Sequence, residues 1–217
     1  MIIRSEHTAL GTKYLEKKEY KKALEEYELA SNENDYFAMY NIACMYYFGD
    51  GVDVDLKKSF NWFVKASLSG DPEATNRVGV MYSLGQGTKT DLKKAFEYYL
   101  KSAEMKSLSG MANLARSYIE GSGTEKNIDL GLEWMDKASK MGNGVASVEM
   151  AELYLDSKIV NKDIEKALSY LERGIKQKYK VAAYKLSDIY KDDKYIKSDL
   201  IKSNYYKKIA DEMIEED

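Results

Sequence analysis

Few side chains in this sequence are of a kind that does chemistry unaided. His7 and Cys44 are the single members of their types, and an imidazole beside a thiol makes a base and a nucleophile. Both fall in helical segments, but neither has an activating partner or a local catalytic signature, so the cysteine reads as a small buried hydrophobe. Gly85-Gln-Gly87-Thr-Lys-Thr sets glycines beside a lysine, as phosphate-cradling loops do. Such loops need G-x-x-x-x-G-K-[ST] between a strand and a helix, and that context is missing. Asp50, Asp53 and Asp55 gather acids for a cation, yet the calcium-loop spacing and its closing glutamate are absent, and Asp55 stands where a helix N-cap belongs. No catalytic residue, metal or cofactor is predicted, and the chain reads as a non-enzyme.

The elements around these residues explain them better. From Val78 to Ala103 the pattern is a helix hairpin: Val78, Met81, Tyr82 and Leu84 at helical spacing, Gly85 and Gly87 as turn formers, Asp91 as N-cap, then Leu92, Ala95, Phe96, Tyr99 and Leu100 along one side of a second helix. One proline in 217 residues, with heavy use of Lys, Glu, Leu, Ala and Tyr, favours helix throughout. A formal net charge of −3, with lysines interleaved among acids, offers no basic stripe for phosphates, so nucleic acid is not an expected partner. A lone cysteine excludes an intrachain disulfide framework and points to a reducing compartment. MIIRSEHTALG lacks the apolar core of a secretory signal, and no apolar run approaches a membrane span. A cytoplasmic protein is the expectation.

The hairpin recurs at a fixed period. Tyr46, Tyr82, Tyr118, Tyr154 and Tyr190 are each 36 residues apart. Three residues before each comes Ala43, Gly79, Ala115, Ala151 or Ser187; nine after comes Asp55, Asp91, Asn127, Asp163 or Asp199, followed by an aliphatic residue. An aromatic column runs Trp62, Tyr98, Trp134, Tyr170 and Tyr206, read as core packing. The period predicts an all-α, right-handed α-solenoid of stacked helix-turn-helix repeats. Residues 1–35 form an earlier hairpin with a shorter turn, residues 36–210 hold five 36-residue repeats, and residues 211–217 make an acidic end. The glycine pair is lost in the last two copies, which carry Ser157 and Ile159, then Asp193 and Tyr195, so those turns must differ in shape.

Gly79, Tyr82, Gly85, Gly87, Asp91, Lys94, Ala95, Tyr98, Lys101 and Ala103, with their copies, resemble the SLR, the Sel-one-like repeat, a relative of the tetratricopeptide repeat. Residues Glu6 to Asp35 look more like the tetratricopeptide form itself. The resemblance implies a scaffold whose first helices line a concave side. Some SLR proteins are described as binding or hydrolysing β-lactams, but those are cysteine-rich and exported, unlike this chain.

On the implied concave side, the positions two before each tyrosine form the row Cys44, Val80, Arg116, Glu152 and Asp188. The row six before includes Tyr40, Asn76 and Tyr184, and Phe37, Tyr47 and Phe48 add an aromatic cluster in the first 36-residue copy. The cluster would anchor a protein or peptide segment, or pack against the first hairpin, and the charged end would set its register. The expected function is a non-catalytic adaptor, with a toxin-neutralising binding protein as the alternative. A β-lactam-directed activity is a third reading.

Overall fold

The computed structural model describes residues 5–156 and 158–213. The described residues form twelve helices and no strand. In order these are α1 (Glu6–Glu16), α2 (Tyr20–Asn32), α3 (Tyr36–Phe48), α4 (Leu56–Leu68), α5 (Pro72–Leu84), α6 (Leu92–Glu104), α7 (Leu108–Glu120), α8 (Ile128–Lys140), α9 (Gly144–Asp156), α10 (Ile164–Lys176), α11 (Lys180–Lys191) and α12 (Leu200–Glu212). Of the acidic end, Asp211 and Glu212 close α12, while Glu215, Glu216 and Asp217 lie outside the described residues, as does Ser157. No helix among the described residues is long and apolar enough to cross a membrane.

The chain divides into two compact units, the first made of residues 1–110 and 122–125, the second of residues 111–121 and 126–217. In the first, Ala23, Tyr27 and Ala30 of α2 pack with Ala38, Ile42 and Met45 of α3, and Met39 and Ala43 continue into Phe63, Ala66, Val78 and Met81. In the second, Ala151, Ala167, Leu171, Ala182 and Leu186 make the corresponding core. Alternating small and large residues let neighbouring helices approach while filling the space between them. Not every apolar residue of the pattern goes inward: Leu84 is 62% exposed and Leu92 46%.

The 36-residue columns each have a physical task. Asp55, Asp91, Asn127, Asp163 and Asp199 cap the second helices, their side chains accepting the backbone N–H three residues on at 2.9–3.1 Å. Each cap residue's own N–H donates to the carbonyl of the repeat tyrosine, at 2.8–3.1 Å, which closes the turn. Lys58, Lys94, Lys166 and Lys202 then lie over the rings of Tyr46, Tyr82, Tyr154 and Tyr190 at 5.0–5.2 Å. The same tyrosine also stacks on the aromatic column: Tyr98 on Tyr82, Tyr170 on Tyr154 and Tyr206 on Tyr190, with ring centroids 5.7–6.0 Å apart.

Gly85 and Gly87 adopt left-handed φ of +69°, and the second has no room for a side chain. A Cβ there would stand 2.0 Å from the carbonyl oxygen of Leu56, at the start of α4. Where the glycines are lost, other groups shape the turn. In the fifth copy, Asp193 accepts from the Ser198 N–H at 2.7 Å and Asp192 from the Lys194 N–H at 3.0 Å.

One column contains a mismatch. Ser203 is within 3.2 Å of the Ser187 hydroxyl, sixteen residues earlier. At the same register, sixteen residues after Ala43, Ser59 is fully buried, and among the described residues its hydroxyl has no hydrogen-bond partner. An unpartnered buried hydroxyl costs free energy that alanine, with its smaller apolar side chain, does not incur. Ser59→Ala is therefore expected to leave stability unchanged or raise it by up to about 1 kcal/mol, read from the urea midpoint.

Candidate functional site

Stacking first helices side by side creates a groove wherever two of them meet, and the 36-residue period places equivalent side chains in each. The positions two before, one after and two after a repeat tyrosine form one wall. The next first helix supplies positions five, two and one before its own tyrosine, and its turn supplies the position four after. Grooves of this kind lie within single units between α3 and α5 in the first and, in the second, between α7 and α9 and between α9 and α11.

The groove between α3 and α5 is nearly filled. Tyr47, Phe48 and Phe63 occupy it with Cys44, Val80 and Met81, leaving about 20 Å3, room for little more than a water. Tyr47 donates its hydroxyl to Gln86 Oε1 at 3.2 Å, so the residue between the turn glycines closes the end. Phe48 lies edge-to-face on Tyr47 with centroids 5.0 Å apart and is 66% exposed. Among the described residues Arg77 is the one charged side chain lining this groove.

Replace Tyr47, Phe48 and Phe63 by their counterparts 72 residues on, Ile119, Glu120 and Met135, and the groove opens. Between α7 and α9 it holds about 530 Å3 over an apolar floor of Ile119, Met135 and Leu153. Its turn carries Ile159 where the earlier copies have glycine, and a β-branched side chain cannot seat against a helix start as Gly87 does on Leu56. The next groove, between α9 and α11, holds about 360 Å3 over Leu155, Ile189 and Tyr195. Glu152 and Asp156 line both.

Across these grooves runs a ladder of charge pairs, each joining residues 33 apart. Arg116 grips Glu149 through Nε at 2.9 Å and through a terminal nitrogen, while its other nitrogen donates to Asn113 at 2.6 Å. One repeat on, Lys185 pairs with Glu152, the same positions with the signs exchanged. Among the described residues Asp188, the next member of the row, has no ion-pair partner.

The predicted residues therefore divide. Cys44, Tyr47, Phe48 and Val80 meet in the first groove, Arg116 and Glu152 in the second, and Glu152 and Asp188 in the third. Phe37, Tyr40, Asn76 and Tyr184 line none of them. Phe37 stacks on Tyr36 with centroids 4.6 Å apart, and Tyr40 meets the edge of Phe63 at 5.3 Å. Asn76 is buried, 5% exposed, and Tyr184 donates to Asp211 on α12 at 2.8 Å. Tyr40, Cys44 and Tyr47 pack with Phe63, Val78 and Met81 of the following helices. Sequence reasoning missed Arg77, Glu149 and Lys185, the row five before the tyrosine. Their signal was present in the same 36-residue register.

Neither lone chemical residue is activated. Burial pushes the Cys44 thiol up to about 11, with Arg77 and the Tyr40 hydrogen bond only partly offsetting it. His7 has its Nδ1 2.6 Å from Glu26, a hydrogen bond that raises its pKa and favours the imidazolium over a free base. A thiol at about 11 holds little thiolate at pH 8. Alkylation of Cys44 by iodoacetamide at that pH is expected to run on the order of a hundredfold slower than in the urea-unfolded chain, followed by intact mass.

The repeat geometry matches known proteins along most of the chain. The Sel1 repeat model matches residues 37–71, 72–107, 108–143, 145–179 and 180–210. A Sel1 repeat protein from Oxalobacter formigenes is 25% identical and superposes with a TM-score of 0.84, over 94% of this chain and 83% of that one. A protective antigen of uropathogenic Escherichia coli with an SLR fold gives 0.76 at 24% identity, over 95% of this chain but 45% of its own length. An immunity protein from Pseudomonas aeruginosa gives 0.71 at 18% identity, over 98% and 84%. No curated protein matched the sequence. With these neighbours the fold is an α-solenoid, and the five matched repeats make the chain a member of the Sel1 repeat family.

Proposed function

We propose that this chain is a non-catalytic protein-binding scaffold that holds a segment of a partner along its first helices, in the second unit. The observation that carries the reading is the pair of open grooves between α7, α9 and α11, of about 530 and 360 Å3, with apolar floors and charged rims. Apolar depressions of a few hundred Å3 edged by oriented polar groups are where ligand side chains bury. Of the aromatic cluster in the first 36-residue copy, Tyr47 and Phe48 line, with Phe63, a groove that has little free space. The hairpin of α1 and α2 acts in this reading as the support against which α3 packs. Cys44 lines the filled groove with its thiol pushed up by burial, which gives no support to a β-lactam-directed activity.

Peptide display on the immobilised full chain tests the reading. Enriched peptides should bind in solution and shift amide resonances of α7, α9 and α11. Peptides that instead perturb the second helices, or no enrichment at all, would overturn it. The likeness to an immunity protein favours a narrower version, in which the bound segment belongs to a toxin. Inhibition of an enzyme encoded beside this gene would support that version, and full activity of the enzyme at saturating protein would exclude it.

A further inference from the structure

We infer that the two open grooves of the second unit take one continuous partner segment, extended and basic, with apolar side chains about three residues apart and lysine or arginine between them. The inference rests on the scaffold reading and adds the chemistry of the partner.

Continuity comes from α9. Its Glu152 and Asp156 line both grooves, so a chain lying in one passes directly into the next. Packed helices lie about 8–10 Å apart, which sets the interval expected between successive floors. An extended chain at about 3.3 Å per residue covers it in three residues. A helix about 10–12 Å across is too thick for clefts of this size, which suit one or two side chains each.

The charge points to a basic occupant. Together the two linings hold six carboxylates and four cationic side chains. Three of those cations are already committed within the chain, Arg116 to Glu149, Lys185 to Glu152, and Lys158 to Asp156 at 3.0 Å. The excess is negative, and Asp188 stands among it with no ion-pair partner among the described residues. An incoming lysine or arginine completes this set, whereas an acidic segment meets like charge.

Fluorescence anisotropy on the full chain tests this with two labelled twelve-residue peptides. Both carry the same Leu-x-x-Leu spacing, one with Lys and Arg between the leucines and one with Glu and Asp. The basic peptide is expected to bind at least about tenfold tighter at low salt, with the gap narrowing as salt is added. Asp188→Asn with Asp192→Asn should shrink the gap. Ile119→Tyr with Glu120→Phe, which copies two of the three filling side chains into the open groove, should remove binding of the basic peptide, with the melting temperature reporting that the variant folds. Equal binding of both peptides overturns the charge assignment while leaving a scaffold role, which the display experiment judges separately. Binding that survives the filling pair overturns the location, unless that pair fails to fold, when the Asp188 and Asp192 substitutions decide. No binding of either peptide also overturns the inference, as does self-association abolished by the same substitutions, which would make the occupant a second copy of this chain.

Discussion

Gly87→Ala is expected to destabilise the protein by about 3 kcal/mol, a large fraction of the stability of an ordinary domain. Two costs add. At φ +69° an alanine incurs the steric penalty of the left-handed region, about 1 kcal/mol. Its Cβ would also stand 2.0 Å from the Leu56 carbonyl oxygen and 2.5 Å from its carbon. Backbone cannot swing aside as a flexible side chain can, so the turn or α4 must move, an overpacking cost of about 1–3 kcal/mol. Gly70→Ala is the control: φ is +98° but nothing lies within 4 Å of the added carbon. It should cost only about 1 kcal/mol. Urea midpoints for the two variants separate strain from collision, and equal losses would show that the collision contributes nothing.

That contrast bears on what could be read from the sequence. The period exposed the caps, the turn glycines and the helix starts, because each is a local requirement that must be met again in every copy. Asp91 and its counterparts had to be acceptors, and Gly85 and Gly87 had to be turn formers. The rows lining the first helices were equally visible, and Cys44, Arg116, Glu152 and Asp188 fall in grooves as their register implied. What the letters did not reveal was volume. Tyr47 and Phe48 look like anchors awaiting a partner, yet the groove that they line with Phe63 has little free space. Nor did the row containing Asn76 announce that its middle members turn inward: Asn76, Ala112 and Val148 are buried, while Tyr184 at its end is 39% exposed. The loss of glycine at Ile159 was plain in the sequence, but the open groove beside it depends equally on Ile119, Glu120 and Met135 being smaller or more flexible than their aromatic counterparts.

Arg116→Glu is expected to cost about 1–2 kcal/mol, and Glu149→Lys introduced beside it should recover most of the loss. In the single variant two carboxylates face each other in a partly sheltered groove, and the hydrogen bond to Asn113 is lost. The exchanged pair is not foreign to the fold. Glu152 and Lys185 occupy the same two positions one repeat later, with glutamate first and lysine second. Lysine lacks the planar fork that lets Arg116 hold Glu149 through two nitrogens, so recovery should fall short by a few tenths of a kcal/mol. A double-mutant cycle on urea midpoints measures the coupling, and equal midpoints for the single and exchanged variants would mean the rung carries no interaction energy. The same set of proteins separates stability from recognition. The exchange leaves the total charge of the groove as it was, so the basic peptide should bind the exchanged variant much as it binds the parent. Arg116→Glu alone makes the lining more acidic and should tighten that binding even as it loosens the fold, two effects of opposite sign that a merely damaged protein would not show.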